Sequence, residues 1–263
     1  MTNIAGLLTL VAALGVHHAP LLAQAPAQAA PPQAPAGTRA MAVPYAVGER
    51  LDYDVKFGPM HVGAGSMEVL GNENVRDRPT WHIMFRVKGG TFFYKVDDRF
   101  ESWIETTTLS SLRHKQDINE GKRDRERIFE IFPERPSYIE DDKPEKPSVA
   151  NPLDDGSFLY FIRSVPLEVG KTYEFDRYFR PDRNPVKITV LRKERIKVPA
   201  GTFDAIVIRP SVKSKGIFSE NGQAEVWLSD DERHIMLQLK SKLSFGSLNL
   251  YLKSYRAPPS QEQ

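Results

Sequence analysis

The sequence contains no cysteine. Disulfides, thiolate nucleophiles, cysteine-ligated zinc and iron–sulfur clusters are therefore excluded together. An excess of either charge is also missing: 36 basic residues face 34 acidic ones among 263, a net charge of +2. A dedicated DNA-binding chain would carry a clear basic surplus. No apolar run reaches the roughly 18–20 residues that a membrane-spanning helix needs. The G-x-S-x-G elbow of serine hydrolases is absent too. What is present is a 40% apolar content, too high for a disordered chain.

The apolar run Ile4 to Val16 has the length of a secretory signal's central region and is too short to span a bilayer. Small residues follow at Ala23, Ala25, Ala27 and Ala29, and no lysine or arginine precedes the run. Residues 1–29 are expected to be a cleaved signal peptide. With no cysteine behind the run, a lipoprotein-type attachment is not expected. Residues 30–43 continue an alanine- and proline-rich stretch that buries too little apolar surface to offset chain entropy, and read as a linker. Arg39 is the lone charge before the folded part, which is thus nearly neutral. One β-rich domain is expected over 44–257, with a tail at 258–263.

Within that domain the hydrophobicity alternates with period two. Leu51, Tyr53, Val55 and Phe57 share one face and Asp52, Asp54 and Lys56 the other, the pattern of a half-buried strand. Trp81, Ile83, Phe85 and Val87 repeat it, as do Ile188 and Val190, and Leu248, Leu250 and Leu252. Ala205 to Ile208 and Val226 to Leu228 are denser runs suited to buried strands, and Leu237 to Leu243 suits a strand with one bulge. Turn signals separate these segments at Gly58-Pro59, Gly71-Asn72, Arg78-Pro79, Gly89-Gly90, Gly121, Pro199-Ala200-Gly201 and Asn221-Gly222. Ten to twelve strands in an antiparallel meander follow from this spacing. One segment differs. Asp154 to Val165 returns Phe158, Leu159, Ile162 and Val165 at helical spacing behind an aspartate cap. The fold class is mainly β: one large, strongly curved antiparallel sheet or open barrel with one short helix across it.

Signs of catalysis are sparse. His61, His82, His114 and His234 are not spaced for sharing a metal. Gly63-Ala64-Gly65 lacks the remainder of a phosphate loop and reads as a small-residue strand that lets another backbone approach. Four aspartate doublets occur, at 97–98, 141–142, 154–155 and 230–231, but neighbours on a strand point to opposite faces. Two clusters suit ligands better. Arg123, Arg125 and Arg127 alternate with Asp124 and Glu126, placing three guanidinium groups about 7 Å apart on one strand face, a geometry that binds phosphate or sulfate or else pairs with neighbouring acids. Trp81, Phe85 and Phe93 head an aromatic group that either fills the core or walls an apolar cavity. Lys213, Lys215, Lys240 and Lys242 form a second basic group if their strands pair.

Four segments carry a family resemblance: Gly48-Glu49-Arg50-Leu51-Asp52-Tyr53-Asp54-Val55, Asn151-Pro152-Leu153-Asp154-Asp155, Pro199-Ala200-Gly201-Thr202-Phe203-Asp204 and Val226-Trp227-Leu228-Ser229-Asp230-Asp231. In this order they resemble the bacterial exported family catalogued as domain of unknown function 3108, from about Val47 to Tyr255. The resemblance implies a secreted or periplasmic, β-dominated protein and brings no catalytic residues. Its general look is similar to lipoprotein-carrier folds, an analogy of fold and not of function. The expected function is non-enzymatic binding or carriage of an apolar or amphipathic ligand, such as a lipid, at Arg123, Arg125, Arg127, Trp81, Phe85 and Phe93. The alternative is an envelope structural or assembly factor that binds protein or polysaccharide; an envelope hydrolase ranks last. Contact with a membrane surface or a partner is expected through an exposed hairpin tip at Ile217 and Phe218. No nucleic acid, cofactor or metal is implied.

Overall fold

The computed structural model describes residues 40–90, 95–213, 218, 224–243 and 246–259. The signal peptide, most of the linker, Phe93, Lys215, Ile217 and the Asn221-Gly222 pair lie outside the described residues. Among those described, fourteen strands form one antiparallel sheet. The first half of the chain supplies β1 (Arg50–Phe57), β2 (Met60–Val75), β3 (Arg78–Gly90), β4 (Lys95–Glu105), β5 (Ser111–Glu120), β6 (Arg123–Phe132), β7 (Ser137–Glu140) and β8 (Lys146–Pro147). A single helix, α1 (Asp155–Phe161), follows and runs into a 3₁₀ turn at Ile162–Ser164. The second half adds β9 (Thr172–Phe175), β10 (Val186–Val198), β11 (Gly201–Ser211), β12 (Glu225–Ser229), β13 (Met236–Leu243) and β14 (Gly246–Arg256).

The sheet order is β8-β7-β6-β5-β4-β3-β2-β1-β14-β13-β12-β11-β10-β9. Every neighbour except β1–β14 is a sequence neighbour, so each half is a meander and the two join at the centre. The expected class, a large antiparallel sheet with one short helix, holds. The expected strand count was too low. β7 and β8 are four and two residues long, too short to display a period.

Two turn assignments are corrected. Gly71-Asn72 does not end a strand; β2 runs through it, and pairing steps from Val69↔Ile83 to Gly71↔His82, a bulge at Leu70. The turn expected at Arg78-Pro79 lies two residues earlier. Arg76 and Asp77 both take positive φ, at 50° and 61°, the twist that a two-residue hairpin between right-twisted strands requires. Gly63 and Gly89 face each other across β2 and β3. A Cβ on Gly63 would stand 2.3 Å from the Lys88 carbonyl oxygen, so the small-residue strand does serve a close backbone approach.

The inner face carries the core. Leu51, Tyr53 and Val55 from β1, Ile83 from β3, Phe129 and Ile131 from β6, and Ile206 and Ile208 from β11 are almost fully enclosed. Helix α1 packs on β3 and β4 and contributes Phe158 and Leu159, while Ile162 follows in the 3₁₀ turn and Val165 just after it. Those four residues are the ones whose spacing marked the helix. Its cap is Asp154, whose side chain accepts the Gly156 and Ser157 N–H groups while Ser157 answers to the Asp154 N–H, a reciprocal box.

The free edges β8 and β9 do not pair with each other. Their flanking segments are stitched instead. Leu153 bridges Tyr178 in parallel, and the Phe179 N–H donates to the Leu153 carbonyl at 2.9 Å. Arg177 reaches across with Nε to the Asn151 carbonyl at 2.7 Å and Nη2 to the Leu109 carbonyl at 3.0 Å.

Candidate functional site: a cavity beneath the helix

Register places one row of side chains across four strands of the inner face. Phe85 of β3 opposes Phe100 of β4, Phe100 opposes Gln116 of β5, and Gln116 opposes Arg127 of β6. Over this row lies a half-open cavity of about 380 Å³. Its walls are mostly apolar: besides Phe85 and Phe100, they include Ile118, Phe158, Leu159, Phe179, Val212 and Phe218. Val212, just beyond β11, is far from β3–β6 in strand order, so the sheet must curl to bring both to one space. Phe218 packs against Phe158 of the helix, with ring centroids 6.0 Å apart, and its carbonyl accepts the Val212 N–H at 2.7 Å.

The polar lining collects at one side: Gln116, Arg127, Asp155, Tyr178, Arg180 and Arg183. Asp155, the first residue of α1, accepts from Tyr178 Oη at 2.7 Å and from Gln116 Nε2 at 2.9 Å. Its side chain is 45% exposed, yet protein surrounds it, because the exposed surface opens into the cavity. Burial favours its neutral form, but His114 and the Tyr178 hydroxyl prevail and hold its pKa below the ordinary value. Partial burial, followed by the neighbouring guanidinium of Arg125, lowers the pKa of Arg127. Arg180 stacks on Phe129 and Phe179, each ring 5.1 Å away.

A chain of hydrogen bonds runs from this wall into the protein. Arg127 can only donate, and its Nη2 bonds Gln116 Oε1, which fixes the amide's orientation. Gln116 Nε2 then faces His114 Nε2 at 2.9 Å, a bond that this ring nitrogen accepts when the imidazole is neutral. His114 Nδ1 donates to the Glu101 carbonyl at 2.9 Å. Nδ1 thus carries a hydrogen; burial opposes a second proton on the ring, but Asp154 and Asp155 prevail and raise its pKa. Ser102, His114 and Asp154 sit together with no solvent exposure and look at first like a nucleophile, base and acid. The geometry is otherwise. Ser102 Oγ donates to Asp154 Oδ1 at 2.6 Å, and the nearer ring nitrogen, at 3.4 Å, already carries a hydrogen. An activated hydroxyl must donate to the base; this trio instead clamps the helix N-terminus to β4 and β5.

The sequence-derived candidates divide. Phe85 and Arg127 line the cavity. Trp81 does not reach it; the ring lies in the core, edge-on to Tyr45 at 5.6 Å. Arg123 and Arg125 share the inner face of β6 but lie outside the wall, beside Glu120 at 4.0 Å and Glu140 at 3.6 Å. Lys240 covers Trp227 from β13, with β12 between that strand and β11, so the lysine group is not assembled by direct pairing. Sequence reasoning missed Gln116, Tyr178, Arg180 and Arg183. The stretch from Arg180 to Pro185 has turn chemistry but no periodicity, and nothing local says which wall it completes. His82 stands outside the site, on the outer face, bracketed by Glu73 at 2.8 Å and Glu101 at 2.7 Å and stacked on Trp103. No group of metal-binding side chains is found among the described residues.

Comparison with known proteins gives a family and a fold. The model of a family described as Protein of unknown function (DUF3108) matches residues 52–253. Among solved structures, a β-barrel-like protein of the domain of unknown function DUF1849 from Brucella abortus is similar over 82% of this chain and 100% of its own, with a TM-score of 0.55 at 10% identity. A hypothetical protein from Chlamydia trachomatis matches 82% of this chain and 91% of its own at 8% identity, with a TM-score of only 0.36. No curated protein matches the sequence.

Proposed function

The chain belongs to the DUF3108 family of proteins of unknown function, and within that family we propose that it is an exported binding or carrier protein for an apolar or amphipathic ligand. The observation that carries this reading is the cavity. Its volume of about 380 Å³ falls in the roughly 300–1,000 Å³ range of small-molecule sites. Apolar walls with a few converging polar groups are the composition such sites use. Export rests on the signal-like run Ile4 to Val16. No catalytic step is proposed, because the enclosed hydroxyl, imidazole and carboxylate are already committed to one another. The assembly-factor alternative gains little from the sheet edges, since β8 and β9 are two and four residues long and offer a partner strand a short ladder.

The test is binding of a neutral apolar probe, N-phenyl-1-naphthylamine, to the purified protein, with native mass spectrometry of the protein as isolated from an expressing periplasm. Wild type is expected to bind probe, and Ile118→Trp, which fills the cavity, to bind at least tenfold more weakly with an unchanged circular dichroism spectrum. The proposal fails if neither the probe nor any co-purified lipid is found, or if Ile118→Trp binds as well as wild type.

A further inference from the structure

We infer that the ligand of this cavity is a single-chain amphiphile with an anionic head, a carboxylate or a phosphate monoester, and that Arg127, Arg180 and Arg183 receive the head while the aromatic walls take the chain. The inference rests on the cavity being a binding site and goes further by fixing the sign and chemistry of the polar end.

Three observations meet here. First, positive charge is in surplus. Among the described residues, Glu140 is the carboxylate within ion-pair distance of Arg125, Arg127, Lys143 and Arg180, at 3.6, 4.0, 2.7 and 3.9 Å. Lys143 makes the close contact, so the cavity-lining pair Arg127 and Arg180 are only loosely compensated. Asp155, also in the lining, is engaged by Tyr178 and Gln116; Asp182, on the same turn as Arg183, is exposed. Second, the donors of the arginines are unspent. Arg127 gives one hydrogen bond, to Gln116, and Arg183 one, to Tyr178 Oη at 3.2 Å. Arg180 gives none among the described residues, and the enclosed Nε atoms of both Arg127 and Arg180 have no partner. Protein interiors rarely leave such groups unmatched. Third, the guanidinium groups are held in place without using those donors. Arg180 stacks on Phe129 and Phe179, Arg127 stacks on Phe129 at 5.6 Å, and Arg183 on Tyr178 at 5.5 Å. Planar forks fixed by stacking suit bidentate recognition of a carboxylate or phosphate. A neutral head would leave the like-charged pair uncompensated, and a cationic head would worsen it.

The experiment displaces N-phenyl-1-naphthylamine from the full-length mature protein with four twelve-carbon competitors: dodecanol, laurate, dodecyl phosphate and dodecyltrimethylammonium. Laurate or dodecyl phosphate is expected to compete at concentrations at least tenfold below dodecanol, with the cation weakest, and the better of the two anions identifies the head. Raising salt should narrow that gap. Arg127→Gln and Arg180→Gln are each expected to erase most of the anion preference while leaving dodecanol unchanged. Equal competition by laurate, dodecyl phosphate and dodecanol overturns the inference yet leaves the cavity reading standing. Binding of none of the five compounds overturns both. Retention of the full preference in both arginine variants also overturns the assignment. The wild-type comparison decides the head's charge even if a variant does not fold.

Discussion

Asp98 lies on the inner face of β4 and Asp97 on the outer, so this doublet splits as neighbours on a strand must. Asp97 forms a fork with Arg86, at 2.7 and 2.8 Å. Asp98 pairs with no cation among the described residues. Burial first, and then the adjacent Glu120, push its pKa up to about 6 from 3.8. Its proton is therefore bound more tightly in the folded than in the unfolded state. Below the unfolded pKa the residue is neutral in both states; as pH rises from there through about 6, folding loses stability. Asp98→Asn keeps an acceptor for the Asn119 N–H and removes the charge. It is expected to match wild type near pH 3.5 and to exceed it by about 1 kcal/mol at pH 7.5, allowing for solvent screening. Urea unfolding at the two pH values reads this out, and a variant no more stable at pH 7.5 contradicts it.

At the same scale, Arg163 and Glu49 form an enclosed fork, each side chain 1% exposed, with bonds of 2.6 and 3.0 Å. Arg163 also donates to the Arg233 and Pro44 carbonyls at 3.0 Å and lies over the rings of Tyr45 and Tyr160, 5.4 and 5.7 Å from their centroids. Removing one partner strands a buried charge, so Glu49→Ala is expected to cost about 3–5 kcal/mol. The double variant Glu49→Met with Arg163→Met should lose much less, because neither charge is then left alone. Equal losses in the two variants would refute that account.

Among the elements, α1 has seven residues, too few for helix propensity to sustain it. Its position comes from the Asp154 box and from the bond that Asp154 Oδ1 accepts from Ser102 on β4. Asp154→Ala is expected to destabilise the protein by about 2 kcal/mol. Asp154→Asn retains an oxygen for all three donors and should cost under half as much. Thermal unfolding separates the two, and because α1 forms the cavity roof, the alanine variant should also bind the neutral probe more weakly. The seam beside α1 is a second such element. Its register depends on Arg177, whose carbonyl partners lie on three separate residues, so no local pattern announces it. β1, β3, β10 and β14 were legible because each is covered on one face, which makes the period visible. β2 was not: glycine and asparagine at a bulge look like a turn.

For the molecule as a whole, the same distinction explains what was readable of the site. Phe85 and Arg127 stand out locally, as an aromatic in an alternating strand and an arginine in an alternating run. Their partners Arg180 and Arg183 come from a turn more than fifty positions further along the sequence, and only the curl of the sheet makes them neighbours. The three arginines of β6 share a face, as the alternation required, but the cavity ends between Arg127 and Arg125. Where a cavity ends depends on the curvature of the sheet, which the alternation does not encode.

The order of the strands bears on how such a chain assembles. Arg50 and Arg256 are cross-strand partners, so the entrance and exit of the fold lie side by side, while both free edges belong to the middle of the chain. If the chain began before β9 and ended after β8, with its present ends joined, the same sheet would be one unbroken meander in which every strand pairs with its successor. Such a circular permutant would turn the one strand pairing that spans about 200 residues into a hairpin and lower the contact order, which favours faster folding. In the natural order that pairing must wait for the last strand, so the centre of the sheet is the last part that can close.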